Sequence, residues 1–285
     1  MSNLLLVTDP FVYRGLIVGS AVAVLCGLVG FFTVVRGQVF AGDALSHVSY
    51  TGAVAAVAAG VDLRFGLFAA TLAVGAVLGV IGGRWVADDV VIGTTFSWIL
   101  GLGVLFVSLY NASGGGTNGS VTTSILFGSI YGVSASATLT AVAIAVGLVL
   151  VTVAIARPLL FASVDPVVAA ARGVPVRALN TGFLLVVAAA AAEITQVVGA
   201  VLLLGLLAAP AGAATRMTSR PWRAAGLSVA IALVSVWVGV GISLVLARVP
   251  ASFGIIAFAA LVYLLAAVAR RVPHRRRPAW TADRP

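Results

Sequence analysis

The chain has 285 residues, 61% hydrophobic and only 9% charged, with 17 basic against 8 acidic side chains and a formal net charge of +9. Together with a mean hydropathy of +1.18, this excludes an ordinary soluble domain and puts the chain in a lipid bilayer. The basic excess does not signal nucleic acid. It falls in short segments between apolar runs and in the tail His274, Arg275, Arg276 and Arg277, where membrane topology and attraction to anionic lipid account for it.

A helical crossing of hydrocarbon takes about 20 apolar residues, and the sequence offers about nine such runs. They lie near Phe11 to Val35, Ala41 to Gly60, Phe65 to Gly83, Val90 to Ser108, Ala135 to Ala156, Leu179 to Ala192, Thr195 to Thr215, Ala224 to Ala247 and Phe253 to Ala269. The sixth is short, so eight to nine spans are expected. The runs are too continuous for the alternating strands of a membrane β-barrel, and the fold class is an all-α, polytopic transmembrane bundle. The whole chain, 1–285, reads as a single transmembrane domain. The first run exceeds a signal-peptide core and has no basic residue before it, so it is expected to persist in the mature protein. Cys26 stands alone in that run and reads as a small apolar residue.

Basic residues in short loops stay on the cytoplasmic side, and the chain has arginine but no lysine. With the N-terminus outside, the cytoplasmic set is Arg36, Arg84, Arg157, Arg172, Arg177, Arg216, Arg220, Arg223 and the six arginines from Arg270 onward. Arg64 and Arg248 face outward, and Arg14 snorkels from the outer end of the first run. Because the flanking arginines both belong in the cytoplasm, the region from Leu179 to Thr215 must cross twice or dip and return. Two short helices meeting near Glu193 satisfy that demand. The uncharged stretch from Asn111 to Ser124 reads as an external connector.

Small residues recur at helical spacing, as in Gly15 and Gly19 or Gly75, Gly79 and Gly83. They predict helices packed closely within one bundle, with a dimer contact as the alternative. From Arg157 to Arg177 a cytoplasmic segment interrupts the apolar pattern. Asp165 as N-cap, Pro166 at the first helical position and Gly173 at the end predict a short helix there.

Ionisable residues inside hydrocarbon are costly, on the order of 2.5 to 3.5 kcal/mol at a helix centre, and here they are few. Asp43 and His47 stand four residues apart at the start of the second run, one above the other on a helix. At a rise of 1.5 Å per residue from Gln38, they lie about 8 Å and about 14 Å along it. Such a pair suits a divalent metal. The alternative pairs Asp43 with Arg36 and leaves His47 hydrogen-bonded in the core. Glu193, the only glutamate, is either a further ligand or gate at the external vestibule, or a water-exposed turn residue.

The run Arg36-Gly37-Gln38-Val39-Phe40-Ala41-Gly42-Asp43-Ala44-Leu45-Ser46-His47, continuing to Gly52, resembles the signature of permease subunits of ABC importers for zinc, manganese or iron(II). The likeness continues in order through Asp88 and Asp89 with Val90-Val91-Ile92-Gly93, then Asp165 to Pro175, then Val197 to Leu204 with Ala209-Pro210-Ala211. The resemblance implies a homodimer in the bacterial plasma membrane, worked by a cytoplasmic ATPase subunit and supplied by an external metal-binding protein. It implies that Asp165, Ala169 and Gly173 contact the ATPase. No cofactor is expected to be permanently bound; the divalent metal is cargo, held in transit by Asp43 and His47 from each copy. A mixed oxygen and nitrogen set accepts zinc, manganese or iron, and acid should weaken it.

The chain has no phosphate-binding loop: its triple glycine, Gly114 to Gly116, is followed by no Gly-Lys-Ser or Gly-Lys-Thr, so hydrolysis is expected from a partner. A secondary, ion-coupled transporter would show related halves and more buried acids, and a channel would show a filter or charged rings. A nearer alternative is an ABC permease for an iron chelate or vitamin B12, which has more spans and needs no such pair.

Overall fold

The computed structural model describes residues 10–81, 89–112, 125–201 and 203–271, apart from Ser129, Tyr131, Val133 and Ala247. These form helices α1 (Pro10–Val35), α2 (Val39–Ala58), α3 (Leu63–Ile81), α4 (Asp89–Ala112), α5 (Ala135–Val164), α6 (Pro166–Ala171), α7 (Val176–Val197), α8 (Leu203–Met217), α9 (Pro221–Val245) and α10 (Ala251–Arg271). No strand occurs among the described residues. Arg84, Asp88, Gly83, the stretch 113–124 with its triple glycine, and the tail from 272 lie outside them.

Two helices are central. The most apolar stretches of α1 and α7 are each 67% buried, against 17% for α4, which leaves α4 the most peripheral. Helix α1 packs against α5, α7, α8 and α9, while α7 packs against α2, α3 and α5. Phe31, Phe32 and Phe183 join the two in an edge-to-face cluster with ring centroids 5.1 and 6.4 Å apart.

The small residues permit this proximity. A methyl group at Gly75 would strike the Ala188 side chain, and one at Gly79 would meet the Thr181 backbone of α7. Thr181 Oγ1 donates to the Gly79 carbonyl at 2.9 Å, and Ser228 Oγ on α9 donates to the Gly27 carbonyl of α1 at 2.7 Å. These stripes serve packing within one chain, the driving force available to helices in lipid.

The expected count of nine spans is not met by length and composition: among the described residues seven helices are long and apolar enough to cross a bilayer, namely α1, α3, α4, α5, α7, α9 and α10. Helix α2 has 20 residues, but Asp43, Ser46, His47, Ser49 and Tyr50 dilute its apolar character. Helix α8 has 15 residues, about 22 Å at 1.5 Å per residue and short of the roughly 30 Å of hydrocarbon.

The region around Glu193 also departs from expectation. Instead of a short sixth run breaking near Glu193, α7 continues for 22 residues and carries Glu193 inside it. Alanines 188 to 192 are the strongest helix formers, and glutamate continues a helix readily. The break comes at Gly199, in the left-handed region at φ +98°. There the segment at 125–128 lies across the interruption, with Ala200 N–H donating to the Ile125 carbonyl and Val201 N–H to that of Leu126, both at 3.3 Å. Helix α5 likewise runs past its expected end at Ala156, through Pro158 to Val164.

Candidate metal-binding helix and coupling segment

Helix α2 starts from a tight turn. Gly37, at φ +67°, lets the chain reverse after α1. Its N–H donates to the Val34 carbonyl at 3.1 Å and the Gln38 N–H to that of Thr33 at 2.9 Å, the paired bonds of a Schellman cap. From Ala41 to Ala56 most of α2 is buried. Between Ala41 and Tyr50 the half-buried exceptions are Asp43, His47 and Tyr50, at the three- and four-residue spacing that places them on one face.

On that face the His47 ring stands edge-on to Phe96 of α4, with centroids 5.1 Å apart and planes at 73°. Phe40, about two turns earlier, packs on the same Phe96 ring at 6.1 Å. Ser46 Oγ donates to the Asp43 carbonyl at 2.7 Å. Neither the Asp43 carboxylate nor the His47 imidazole forms a hydrogen bond or ion pair with a described residue. Both side chains are half-buried on a helix that is buried over most of Ala41 to Ala56.

The alternative pairing of Asp43 with Arg36 does not occur. Arg36 Nη1 donates to Ser163 Oγ at 3.2 Å and Nη2 to Asn180 Oδ1 at 2.9 Å, and the guanidinium lies 5.5 Å from the Phe183 ring centroid. Burial pushes this guanidinium below the ordinary arginine value. The network was not anticipated from the sequence. Its traces there are polar Gln38 and Asn180 at the starts of apolar runs.

Glu193 lies at the other end of the bundle. It is 1% exposed, and neither carboxylate oxygen has a hydrogen-bond partner among the described residues, so it is no water-exposed turn residue. It borders a cavity of about 290 Å³ lined also by Arg64, Ser134, Thr195 and Gln196. Arg64 instead donates to Thr140 Oγ1 at 2.7 Å. Among the described residues no three of His, Cys, Asp and Glu converge where an ion could sit, so Glu193 does not complete a cluster with Asp43 and His47.

The capped segment forms as its residues dictate. Asp165 accepts hydrogen bonds at one carboxylate oxygen from the N–H groups of Val167 and Val168, both at 3.0 Å, with Pro166 at the first helical position of α6. Gly173, at φ +83°, closes the turn, its N–H donating to the Ala170 carbonyl at 3.0 Å. Ala169 is fully buried against Ala162 and Val176, which seats α6 on the ends of α5 and α7. Val164 and Val167 are left exposed.

The chain as a whole is similar to known proteins. Over 226 residues the chain is 27% identical to the manganese transport system membrane protein MntC of Halalkalibacterium halodurans, covering 77% of this chain and 76% of that one. It is 28% identical to the manganese import system permease protein ScaB of Streptococcus parasanguinis, covering 74% of each. A probable iron transport system membrane protein of Haemophilus influenzae is 27% identical, covering 79% of this chain and 83% of the other. The fold matches a chain in the structure of PsaBC from Streptococcus pneumoniae in complex with Fab, at a TM-score of 0.75 and 25% identity over 91% of both. The model of the ABC 3 transport family matches residues 8–270; the chain belongs to that family.

Proposed function

We propose that the protein is the permease subunit of an ATP-driven importer of a divalent metal, manganese, iron or zinc, in the bacterial inner membrane. The observation that carries this reading is the pair on α2: a carboxylate and an imidazole, half-buried on one face of a largely buried helix and without a hydrogen bond to any described residue. Leaving such groups unsatisfied at membrane depth is costly. A passing dication satisfies both. The relatives named for manganese and iron transport support the same cargo.

Two copies facing one another would present two carboxylates and two imidazoles, a set that zinc, manganese and iron(II) accept. An external binding protein delivers the ion, and alternating access passes it inward. Asp165, Ala169 and Gly173 shape the element that meets the ATPase: the first caps it, the second seats it and the third ends it. The exposed valines of this element give a partner an apolar surface to grip.

In this reading α2 and α8 also cross, giving nine crossings. A helix surrounded by protein does not need lipid-compatible hydropathy along its whole face. Parity supports α2: Arg36 bonds with residues at the α5 C-terminal end, whereas Arg64 bonds with Thr140 at the α5 N-terminal end. Only a crossing by α2 separates the two arginines. The end bearing Arg36 and α6 is cytoplasmic.

The test is metal uptake by vesicles holding the permease with its ATPase and binding protein, using manganese(II), zinc(II) and iron(II). Asp43→Ala and His47→Ala should each reduce uptake to the level of empty vesicles while assembly with the ATPase persists. Uptake equal to that of the unaltered protein in both variants would remove these residues from the pathway.

A further inference from the structure

We propose that Arg36 is a positioning residue that transmits movement of the α6 segment to the metal-bearing helix α2. This rests on the reading of α6 as the ATPase contact and of Asp43 and His47 as the transit site. The α6 segment has two roots, the last turn of α5 and the start of α7. One guanidinium holds both, through Nη1 to Ser163 Oγ at 3.2 Å and Nη2 to Asn180 Oδ1 at 2.9 Å. The planar fork of arginine fixes the two acceptors relative to each other, as a single ammonium cannot.

The same junction is fastened to α2. Asn180 Oδ1 accepts a second hydrogen bond, from Gln38 Nε2 at 2.9 Å, and Gln38 immediately precedes α2. Between Arg36 and Gln38 the turn at Gly37 is closed by two backbone bonds, so residues 36 to 38 behave as one rigid link. Gln38 and Asn180 are each 2% exposed, so water is not at hand to replace a broken bond. Asp43 follows Gln38 by five residues, about 8 Å along the helix axis.

A mechanical chain results. Ala169 seats α6 against Ala162 of α5 and Val176 of α7, so a push on α6 moves both roots. Their displacement must either break the bonds to Arg36 and Gln38 or take the start of α2 along. Arg36 itself has no bond to Asp43, so it acts on the metal only through position.

The experiment compares metal moved with ATP spent. Vesicles containing the whole complex are assayed for manganese(II) uptake and phosphate release, alongside manganese(II) binding to the purified permease. Arg36→Gln and Asn180→Ala should hydrolyse ATP and bind manganese within about twofold of the unaltered protein, yet import at least tenfold less manganese per ATP. Arg36→Lys should fall between, and Asn180→Asp, which keeps the acceptor oxygen, should restore the ratio. A ratio unchanged in Arg36→Gln and Asn180→Ala, whether both activities fall together or neither falls, overturns the proposal. Asp43→Ala in the same assay tests the site separately: if it imports normally, the transit-site reading fails while the manganese-to-ATP ratio of the Arg36 variants still decides the coupling.

Discussion

Replacing Gly52 with valine should separate α2 from α3 and so test whether the close crossing of these helices sets the height and tilt of the Asp43 and His47 pair. A first side-chain carbon at Gly52 would lie 3.1 Å from the carbonyl carbon of Gly66, closer still to its oxygen, and against the Ala70 methyl. The contact is reciprocal, since a carbon added at Gly66 would lie 2.9 Å from the Gly52 carbonyl carbon. Backbone cannot swing aside as a flexible side chain can. Restoring carbon contacts of about 3.5 to 4.0 Å requires the helices to part by roughly 1 Å. Overpacking of this kind costs about 1 to 3 kcal/mol. Gly147→Val is the control, because Gly147 has nothing within 4 Å of the added carbon and such sites shift by no more than about 0.5 kcal/mol. Thermal midpoints of the detergent-solubilised permease should fall for Gly52→Val and hold for Gly147→Val. Uptake should fall as well, because metal sites tolerate only about 0.2 Å in ligand distance and His47 lies five residues from Gly52. Equal midpoints and equal uptake for the two variants would refute the claim that this crossing holds the site in place.

Asp165→Ala removes the acceptor for two N–H groups and should cost about 1 kcal/mol locally. Its checks are faster hydrogen exchange over residues 166–171 and weaker association with the ATPase, with manganese binding by the permease unaltered. Glu193→Leu replaces a buried carboxylate with no hydrogen-bond partner among the described residues with an apolar side chain of similar size. It should raise the thermal midpoint by the equivalent of about 1 kcal/mol or more, and a lower midpoint would mean that Glu193 is stabilised by a group or ion bound in its cavity. Uptake should decline in acid, because metal binding requires a neutral ring and an ionised carboxylate and so competes with protons. The loss should appear as weaker manganese binding to the permease alone, which separates it from an effect of acid on the ATPase.

Hydropathy, caps and glycine spacing made much of this architecture readable in the sequence, and the misjudged places share a physical cause. Arginine parity calls for a return between Leu179 and Thr215, and the lone carboxylate of Glu193 marks the polar point in that stretch where the sequence suggests it. In the folded bundle α7 is central and Glu193 enclosed, while the interruption falls at Gly199 and is covered by the backbone of residues 125–128, about seventy positions earlier in the chain. The sequence offers Asp43, seven residues away, as the nearest acid to Arg36, whereas in the fold its acceptors include Ser163 and Asn180. Local signals, by contrast, carried through: the Asp165 cap and the turn at Gly173 require nothing beyond a few adjacent residues.

The uncertain span count and the candidate site arise from the same residues. Asp43, Ser46, His47, Ser49 and Tyr50 take α2 out of the set of plainly lipid-compatible helices, and two of them are the pair proposed to hold the metal. Ser46 and Ser49 lie buried, with Ser46 bonded to the Asp43 carbonyl, so most of this polarity faces protein and not lipid. A helix wrapped by α3, α4 and α7 can hold a carboxylate and an imidazole at membrane depth. The wrapping that makes its hydropathy misleading is therefore what allows it to carry the pair proposed to hold the metal.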